Sequence, residues 1–107
     1  MPRRSKFDLI FAPETLGHLD AIDRKDHRLI RQAIDKQLTY TPETVTRNRK
    51  PLEEPAPYGA TWELRCGPKN RYRAFYEVDS EERSVLILAI GVKERDRLLI
   101  SGEEFKL

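Results

Sequence analysis

The pattern of apolar and polar positions predicts one strand and then two helices in the first part of the chain. Apolar side chains alternate over residues 6–12, and Pro13 ends this strand and begins a helix, because proline is tolerated in the first turn. Apolar residues then recur at helical spacing over residues 14–22 and again over residues 26–38, where Asp23 or Asp26 could cap the second helix. Pro42 ends that helix, since the residue before a proline avoids helical geometry. The result is an antiparallel helical hairpin.

The pattern in the second half of the chain predicts three more strands. Residues 60–66 and 71–78 alternate between apolar and polar positions, and residues 84–92 are almost entirely apolar, as expected of a central strand covered on both faces. Turns at residues 67–70 and 79–82 join these strands, and the proline-rich residues 41–58 predict a long connection. The order predicts an α+β fold, with the hairpin on one face of an antiparallel sheet of about four strands and a short tail.

The alternation also assigns side chains to the two faces of the sheet. Tyr72, Ala74 and Tyr76 are expected beneath the helices. On the second face we expect Arg65, Arg71 and Arg73 to converge. Phe75 shares that face, where either a base could stack on it or the C-terminal tail could pack across it.

Length and composition limit the possible function classes. A chain of 107 residues, with 38% hydrophobic and 36% charged residues, fits one domain over residues 1–107 with a small core. No apolar run approaches the roughly 18 residues of a membrane span, and the charged start does not resemble a signal peptide, so we expect a cytoplasmic protein. The lone Cys66 excludes an internal disulfide, and the absence of zinc-ligand spacing predicts no structural metal. We also expect no cofactor.

The positive charge is concentrated in the middle of the chain. The net charge is +2, but residues 47–73 hold seven basic and three acidic residues, a local balance of 7 − 3 = +4, which leaves −2 for the rest. This uneven distribution suggests a surface that faces phosphates. A solvated face with scattered cations is the alternative interpretation.

Three segments together resemble the RelE/ParE toxins: residues 62–65, residues 72–76 and residues 90–95. Tyr72, Arg73 and Tyr76 match the family's Tyr-Arg-x-x-Tyr pattern, and a glycine, basic, Glu, Arg sequence follows the fourth strand. The resemblance implies the toxin of a toxin-antitoxin system, with a cognate antitoxin as partner and no membrane association. RelE-like members are metal-free endoribonucleases that cleave messenger RNA on translating ribosomes and inhibit translation. ParE-like members inhibit DNA gyrase instead. A third hypothesis is a decayed toxin that only binds its antitoxin.

The resemblance also implies residue roles. Arg73 matches a catalytic arginine, Lys93 takes the position of a second one, Arg65 corresponds to a lysine on the family's second strand and Lys50 matches a lysine of the preceding loop. In two places the chain departs from the pattern. Leu99 stands where RelE-like toxins carry a tyrosine that supports catalysis, and Glu63 replaces a lysine. The missing tyrosine favours the gyrase inhibitor and the decayed toxin about equally.

The chemistry of RNA cleavage fits these residue types. Attack by the 2′-hydroxyl needs a base, cations for the charged phosphorane and a proton for the leaving 5′-oxygen, and arginine supplies the second requirement directly. A lysine among other cations gives up its proton more readily, so Lys50 and Lys93 are the candidates for proton transfer. Further RNA contacts are expected from a set of surface residues: Arg47, Arg49, Lys69, Arg71, Phe75 and Arg95.

Other chemistry-bearing residues receive structural interpretations. Glu63 could hold a neighbouring guanidinium or reduce the positive potential of the site. His18 and His27, both in the hairpin, are interpreted as solvated or capping residues, and Cys66 as a small buried strand residue. Residues 94–97 alternate in charge and suggest a solvated helical turn.

Overall fold

A single sheet organises the fold, and both helices pack on one of its faces. The computed structural model describes residues 5–53 and 56–106. The elements follow in the order β1 (Asp8–Phe11), α1 (Glu14–Asp20), α2 (His27–Leu38), β2 (Arg49–Pro51), β3 (Trp62–Cys66), β4 (Tyr72–Asp79), β5 (Ser84–Glu94), β6 (Arg97–Ile100) and β7 (Glu103–Glu104). The predicted α+β architecture is confirmed. In the described part of the chain, no helix is long and apolar enough to cross a membrane.

The sheet has seven strands, more than the four or so that the sequence predicts. Strands β2 to β7 are neighbours in sequence order and pair antiparallel, whereas β1 lies parallel to β5. The unpredicted strands are β2, inside the proline-rich connection, and β6 and β7, in the tail. Each spans only two to four residues, so their strand geometry comes from pairing with longer neighbours and leaves a weak pattern in the sequence.

The main core lies between the helices and the sheet. Ile30, Ile34 and Leu38 of α2 are fully buried there, as are Ala74 and Tyr76 of β4, in agreement with the predicted face. The Tyr76 hydroxyl donates to the carbonyl of Pro42 at 2.7 Å, which anchors the segment after α2. Leu16, by contrast, is predicted on the buried stripe of the first helix but is 64% exposed.

Asp26 precedes α2 but does not cap it with a side-chain hydrogen bond. Its carboxylate instead accepts a hydrogen bond from the Tyr72 hydroxyl of β4. Burial, and secondarily this bond, raises the pKa of Tyr72 to about 12. The start of α2 is thus tied to the sheet through a buried phenol.

A β-bulge explains the unbroken apolar run of β5. Phe75 lies opposite Ala89, whereas the next residue, Tyr76, lies opposite Ile87, so Leu88 is an extra residue on β5. Val85, Ile87 and Ile90 therefore belong to the core beneath the helices. Leu88 and Ala89 belong to a second, smaller cluster with Phe75. Both faces of β5 are covered, as the sequence predicts.

His18 fills a gap along one edge of β5. Strand β1 pairs with β5 as far as Ile87, and β6 begins to pair at Gly91, so neither strand reaches the residues between. The Ile90 N–H donates instead to His18 Nδ1 at 3.2 Å, which places the imidazole proton on Nε2. His18 is only 4% exposed, and its burial lowers the pKa of the imidazole. The solvated or capping interpretation of His18 is therefore wrong.

We predict that His18 makes folding sensitive to acid. The unfolded chain takes up a proton on this side chain as the pH falls below 6.5, whereas the folded chain resists it. The free energy of unfolding should therefore fall with decreasing pH through this window and keep its full value above it. His18→Asn preserves an acceptor for the Ile90 N–H and does not titrate. Urea unfolding between about pH 5 and 8 should show a shallower decline in the variant; equal slopes would contradict this role.

We also predict that Gly91 is required where β5 meets β6. A Cβ added to Gly91 would lie 2.9 Å from the Leu99 carbonyl oxygen, which is backbone and cannot move aside easily. Gly91→Ala should therefore lower the free energy of unfolding by about 1 to 3 kcal/mol. Gly17→Ala is the matched control, because this exposed position of α1 has nothing within 4 Å of a new Cβ. It should stabilise the protein by about 0.5 to 1 kcal/mol.

Candidate functional site

A groove of about 530 Å³ lies on the face of the sheet opposite the helices. It brings together all four residues that the family resemblance marks as catalytic: Lys50, Arg65, Arg73 and Lys93. Its other charged lining residues are Glu53, Glu63, Asp96, Glu104 and Lys106. Leu52, Pro57, Phe75, Leu98 and Phe105 provide the apolar part of the wall.

The polar residues stand on successive rungs of the sheet. In the first rung, Lys50 of β2 lies opposite Glu63 of β3, which lies opposite Phe75 of β4. In the second rung, Arg65 lies opposite Arg73, which faces Gly91 of β5. Because alternate residues of a strand share a face, these side chains point to the same side of the sheet.

The third rung forms the far wall of the groove. Lys93 of β5 lies opposite Leu98 of β6. Gly91, the preceding residue on the same face of β5, has no side chain, and Leu98 and Ile100 of β6 lie within 3.1 Å of the position that its Cβ would take. The groove therefore follows directly from strand register.

One carboxylate holds the two opposed arginines together. Glu63 Oε1 lies 3.2 Å from Arg65 Nε, and Glu63 Oε2 lies 3.5 Å from Arg73 Nη1. The Glu63 and Arg73 side chains are 9% and 14% exposed, so solvent screens this cluster only partly. Like charges that face each other across strands repel, and the shared carboxylate offsets that repulsion. Of the two predicted roles for Glu63, holding a guanidinium is the one observed, and its partners are Arg65 and Arg73.

The turn between β3 and β4 gives Arg73 a second anchor. Gly67, Lys69 and Asn70 all have positive φ, at 83°, 56° and 54°. This tight turn directs the Asn70 carbonyl back toward the sheet, where it accepts a hydrogen bond from Arg73 Nε at 3.0 Å. With Nε and Nη1 both engaged, the guanidinium is held in one orientation.

The C-terminal strands build one side of the groove. Leu98, Glu104 and Phe105 line it, although the sequence interpretation treats this segment as a simple tail. Phe75 is 1% exposed beneath these residues, so a base cannot stack on it, and the alternative of tail packing is the one observed. The apolar residues 98–100 followed by Ser101 and Gly102 form a turn signal that could have predicted this hairpin.

Arg49 is not on the groove face, contrary to the prediction that it contacts RNA. It is 6% exposed, and its Nη1 donates to the carbonyls of Gln37, at 2.7 Å, and Thr41. The cause is the register of β2, which pairs Arg49 with Leu64, a residue of the core beneath the helices. Arg49 therefore binds carbonyls at the end of α2.

Arg71 also departs from the expected face. It precedes β4 and has helical backbone angles, φ −65° and ψ −33°, so the alternation that orients Arg73 does not extend to it. Its Nη2 lies 3.4 Å from Glu94 Oε1, and it lines a different cavity, beside Tyr72 and His18. The predicted convergence with Arg65 and Arg73 is wrong.

The remaining predicted RNA contacts lie outside the groove lining. Arg47, Lys69 and Arg95 are exposed residues in turns or bends between elements.

Residues 94–97 do not form the suggested helical turn, because they join β5 to β6 in a hairpin. Leu99 lies opposite Val92 and lines the cavity beside His18, so it faces away from the groove. The groove-facing position on β6 belongs to Leu98.

The described groove lining contains neither histidine nor tyrosine. Besides its two arginines, the charged side chains of the lining are three lysines, Lys50, Lys93 and Lys106, and four carboxylates. Five cations face four acids, so the groove holds cationic groups at defined positions without a strongly positive overall field. Cys66 lies outside it, and burial raises the pKa of its thiol to about 11, in keeping with an inert strand residue. Among the described residues, no group of three or more His, Cys, Asp or Glu could hold a metal ion.

We predict that removing the Glu63 charge destabilises the sheet. Glu63→Gln keeps the shape of the side chain but leaves Arg65 and Arg73 opposed with no negative charge between them. The free energy of unfolding should fall by about 1.5 to 3 kcal/mol, and the loss should shrink at high salt. Glu104→Gln is the control, since its exposed pairing with Arg97 spans 4.0 Å, and it should change stability by less than about 0.5 kcal/mol. Equal losses in the two variants would show that Glu63 does not offset this repulsion.

Comparisons with known proteins agree with the fold. The family model described as ParE toxin of type II toxin-antitoxin system, parDE, matches residues 9–97. A solved structure, the toxin-antitoxin complex RelBE2 from Mycobacterium tuberculosis, contains a chain similar to this one at 22% sequence identity and a TM-score of 0.66. The match covers 82% of this chain and 99% of that chain. At this identity the likeness shows the fold alone. No curated protein sequence matches.

Proposed function

This chain belongs to the ParE toxin family of type II toxin-antitoxin systems, and we propose that it is a metal-free endoribonuclease that cleaves messenger RNA on translating ribosomes. The observation that carries the proposal is the arginine pair. Arg65 and Arg73 stand opposite each other on the groove face of the sheet, with Lys50 and Lys93 on the flanking rungs. Four cations on adjoining rungs fit the charge of a phosphodiester.

The arginines would bind the scissile phosphate. Arg73 is anchored by Asn70 and Glu63, which leaves its Nη2 as the nitrogen without a hydrogen bond among the described residues. An incoming phosphate would draw both guanidiniums away from Glu63 and onto its oxygens, in contacts that strengthen as the phosphorane gains charge. Glu63 thereby acts as a positioning residue, holding the pair in place until substrate arrives.

The lysines would carry the protons. RNA cleavage by its own 2′-hydroxyl forms a 2′,3′-cyclic phosphate and breaks the bond to the 5′-oxygen. Lys50 and Lys93 lie on either side of the arginine pair, so one could accept the 2′-hydroxyl proton while the other protonates the 5′-oxygen. A bound ribosome would supply the orientation that the shallow groove itself lacks.

An antitoxin partner follows from the family. We propose that its acidic segment covers the groove and neutralises the cations, so that the toxin is held inactive in the cytoplasm until the antitoxin is lost.

A second candidate function is inhibition of DNA gyrase by binding alone. It is favoured by the described groove lining, which lacks imidazole and phenol groups and is nearly balanced in charge. In this reading, the groove is a docking surface and the arginines contribute affinity.

Mapping messenger RNA ends in cells that express the toxin separates these functions. For the nuclease, we expect growth arrest with new 5′ ends at defined codon positions. Arg73→Ala should remove these cuts and lower the cleavage rate at least about 100-fold. Arg97→Ala is the matched control, because Arg97 is an exposed residue of β6 outside the groove, and it should cut like the parent.

Two results would overturn the nuclease proposal. Arrest with intact messages and loss of DNA supercoiling would support gyrase as the target. No arrest, together with retained antitoxin binding, would support a decayed toxin.

A further inference from the structure

The helical hairpin carries a second cluster of positive charge that the groove does not explain. Arg24, His27, Arg28 and Arg31 line one shallow depression, together with Gln32 and Asp35. We define the exposed arginines Arg24, Arg28 and Arg31 as the arginine stripe. It lies on the helix side of the domain, so it is separated from the groove by the whole sheet.

The stripe has the length of a nucleic-acid contact. Arg28 and Arg31 lie three residues apart on α2, and Arg24 lies in the 3₁₀ turn directly before it. All three line the same depression, so the stripe extends over about 10 Å. A duplex carries a negative charge about every 1.7 Å along its axis, so this segment can face several phosphates at once.

The arginines of the stripe are not balanced within the protein. Among the described residues, none of the three has a carboxylate within 4.0 Å, although the chain contains 18 acidic residues. Asp35 is the one acid that borders this depression, and Arg24 also lines an adjoining depression together with Asp20 and Asp23. Of these three, Arg31 alone lies over an aromatic ring of the described residues, since its guanidinium carbon is 5.9 Å from the centre of the Phe11 ring. The stripe therefore presents guanidiniums that no described carboxylate contacts directly, with Asp20, Asp23 and Asp35 at its borders.

The composition of the stripe favours nucleic acid over protein. A protein interface is usually built around apolar or aromatic anchors, and the depression is lined by no apolar residue. Arginine, with its planar fork of donors, suits phosphate oxygens particularly well. We propose that the arginine stripe binds the phosphate backbone of a double-helical nucleic acid, independently of the groove.

This inference does not rest on the proposed cleavage activity. It gives the toxin two surfaces for polyanions on opposite sides of the sheet. One would hold a structured nucleic acid without reading its sequence, while the groove acts on a separate strand or docks on a protein.

The test measures duplex binding at several salt concentrations. The probe is a fluorescein-labelled RNA duplex of about 16 base pairs, with a DNA duplex of the same sequence as a second arm, titrated from about 50 to about 200 mM salt. The triple variant Arg24→Gln, Arg28→Gln, Arg31→Gln should bind the duplex at least about tenfold more weakly. The slope of log affinity against log salt concentration should also become shallower by about 2 to 3. Tighter RNA than DNA binding would identify structured RNA as the ligand, and equal binding would mean that either backbone serves.

The control variant Lys6→Gln, Lys36→Gln, Arg97→Gln removes the same amount of charge outside the stripe. Its duplex affinity should depend on salt concentration as steeply as that of the unmodified toxin. Arg73→Ala should also keep duplex binding, so a failure of the cleavage proposal is distinguishable from a failure of this one. Unfolding midpoints of all variants show that they are folded.

Two results would overturn the proposal. One is an equal loss of affinity in both triple variants, which would mean that only net charge matters. The other is undiminished duplex binding with loss of antitoxin binding in the stripe variant, which would make the stripe a protein interface.

Discussion

Strand β5 buries side chains on both of its faces, and the rest of the structure is arranged around that requirement. Helices α1 and α2 cover one face, while the short strands β6 and β7 bring Leu98 and Phe105 over the other. A bulge at Leu88 shifts the alternation so that both halves of the strand keep their apolar residues inside. At its edge, where β1 ends before β6 begins, His18 satisfies the Ile90 N–H that would otherwise be buried without a partner.

The groove exists because the same sheet brings like charges together and then offsets their repulsion. Register places Arg65 opposite Arg73, and Glu63 lies close enough to both for its carboxylate to stabilise the pair. This arrangement holds the two guanidiniums in a fixed geometry at little cost in stability. An oxyanion that competes with Glu63 can bind them there. The same carboxylate weakens the positive field of the groove, so the groove offers an oxyanion local contacts and little long-range attraction. In this account, long-range attraction of nucleic acid belongs to the arginine stripe on the helices.

The sequence predicted the parts of the fold that have strong periodicity and missed those that depend on pairing. The helical hairpin, the faces of β3 and β4 and the doubly covered β5 are confirmed, because alternation and helical spacing report burial directly. Strands β2, β6 and β7 are too short to leave such a pattern. For the same reason the sequence pattern places Arg49 in a loop, although its register in β2 turns it toward Gln37. Arg71 was misplaced because the strand begins one residue later than its alternation suggests, and neither the burial of Phe75 nor the orientation of Leu99 could be predicted without the C-terminal hairpin.

The most direct test of the central claim, that the Arg65 and Arg73 pair serves cleavage of RNA by its own 2′-hydroxyl, is the chemistry of the product ends. Purified toxin would be added to ribosomes stalled on a defined message, and the fragments analysed for their termini. Cleavage by the 2′-hydroxyl should leave a 2′,3′-cyclic phosphate and a 5′-hydroxyl, and a message that carries a 2′-deoxynucleotide at the cleavage position should stay uncut. A message that stays intact on the ribosome, or fragments that end in a 5′-phosphate, would contradict it.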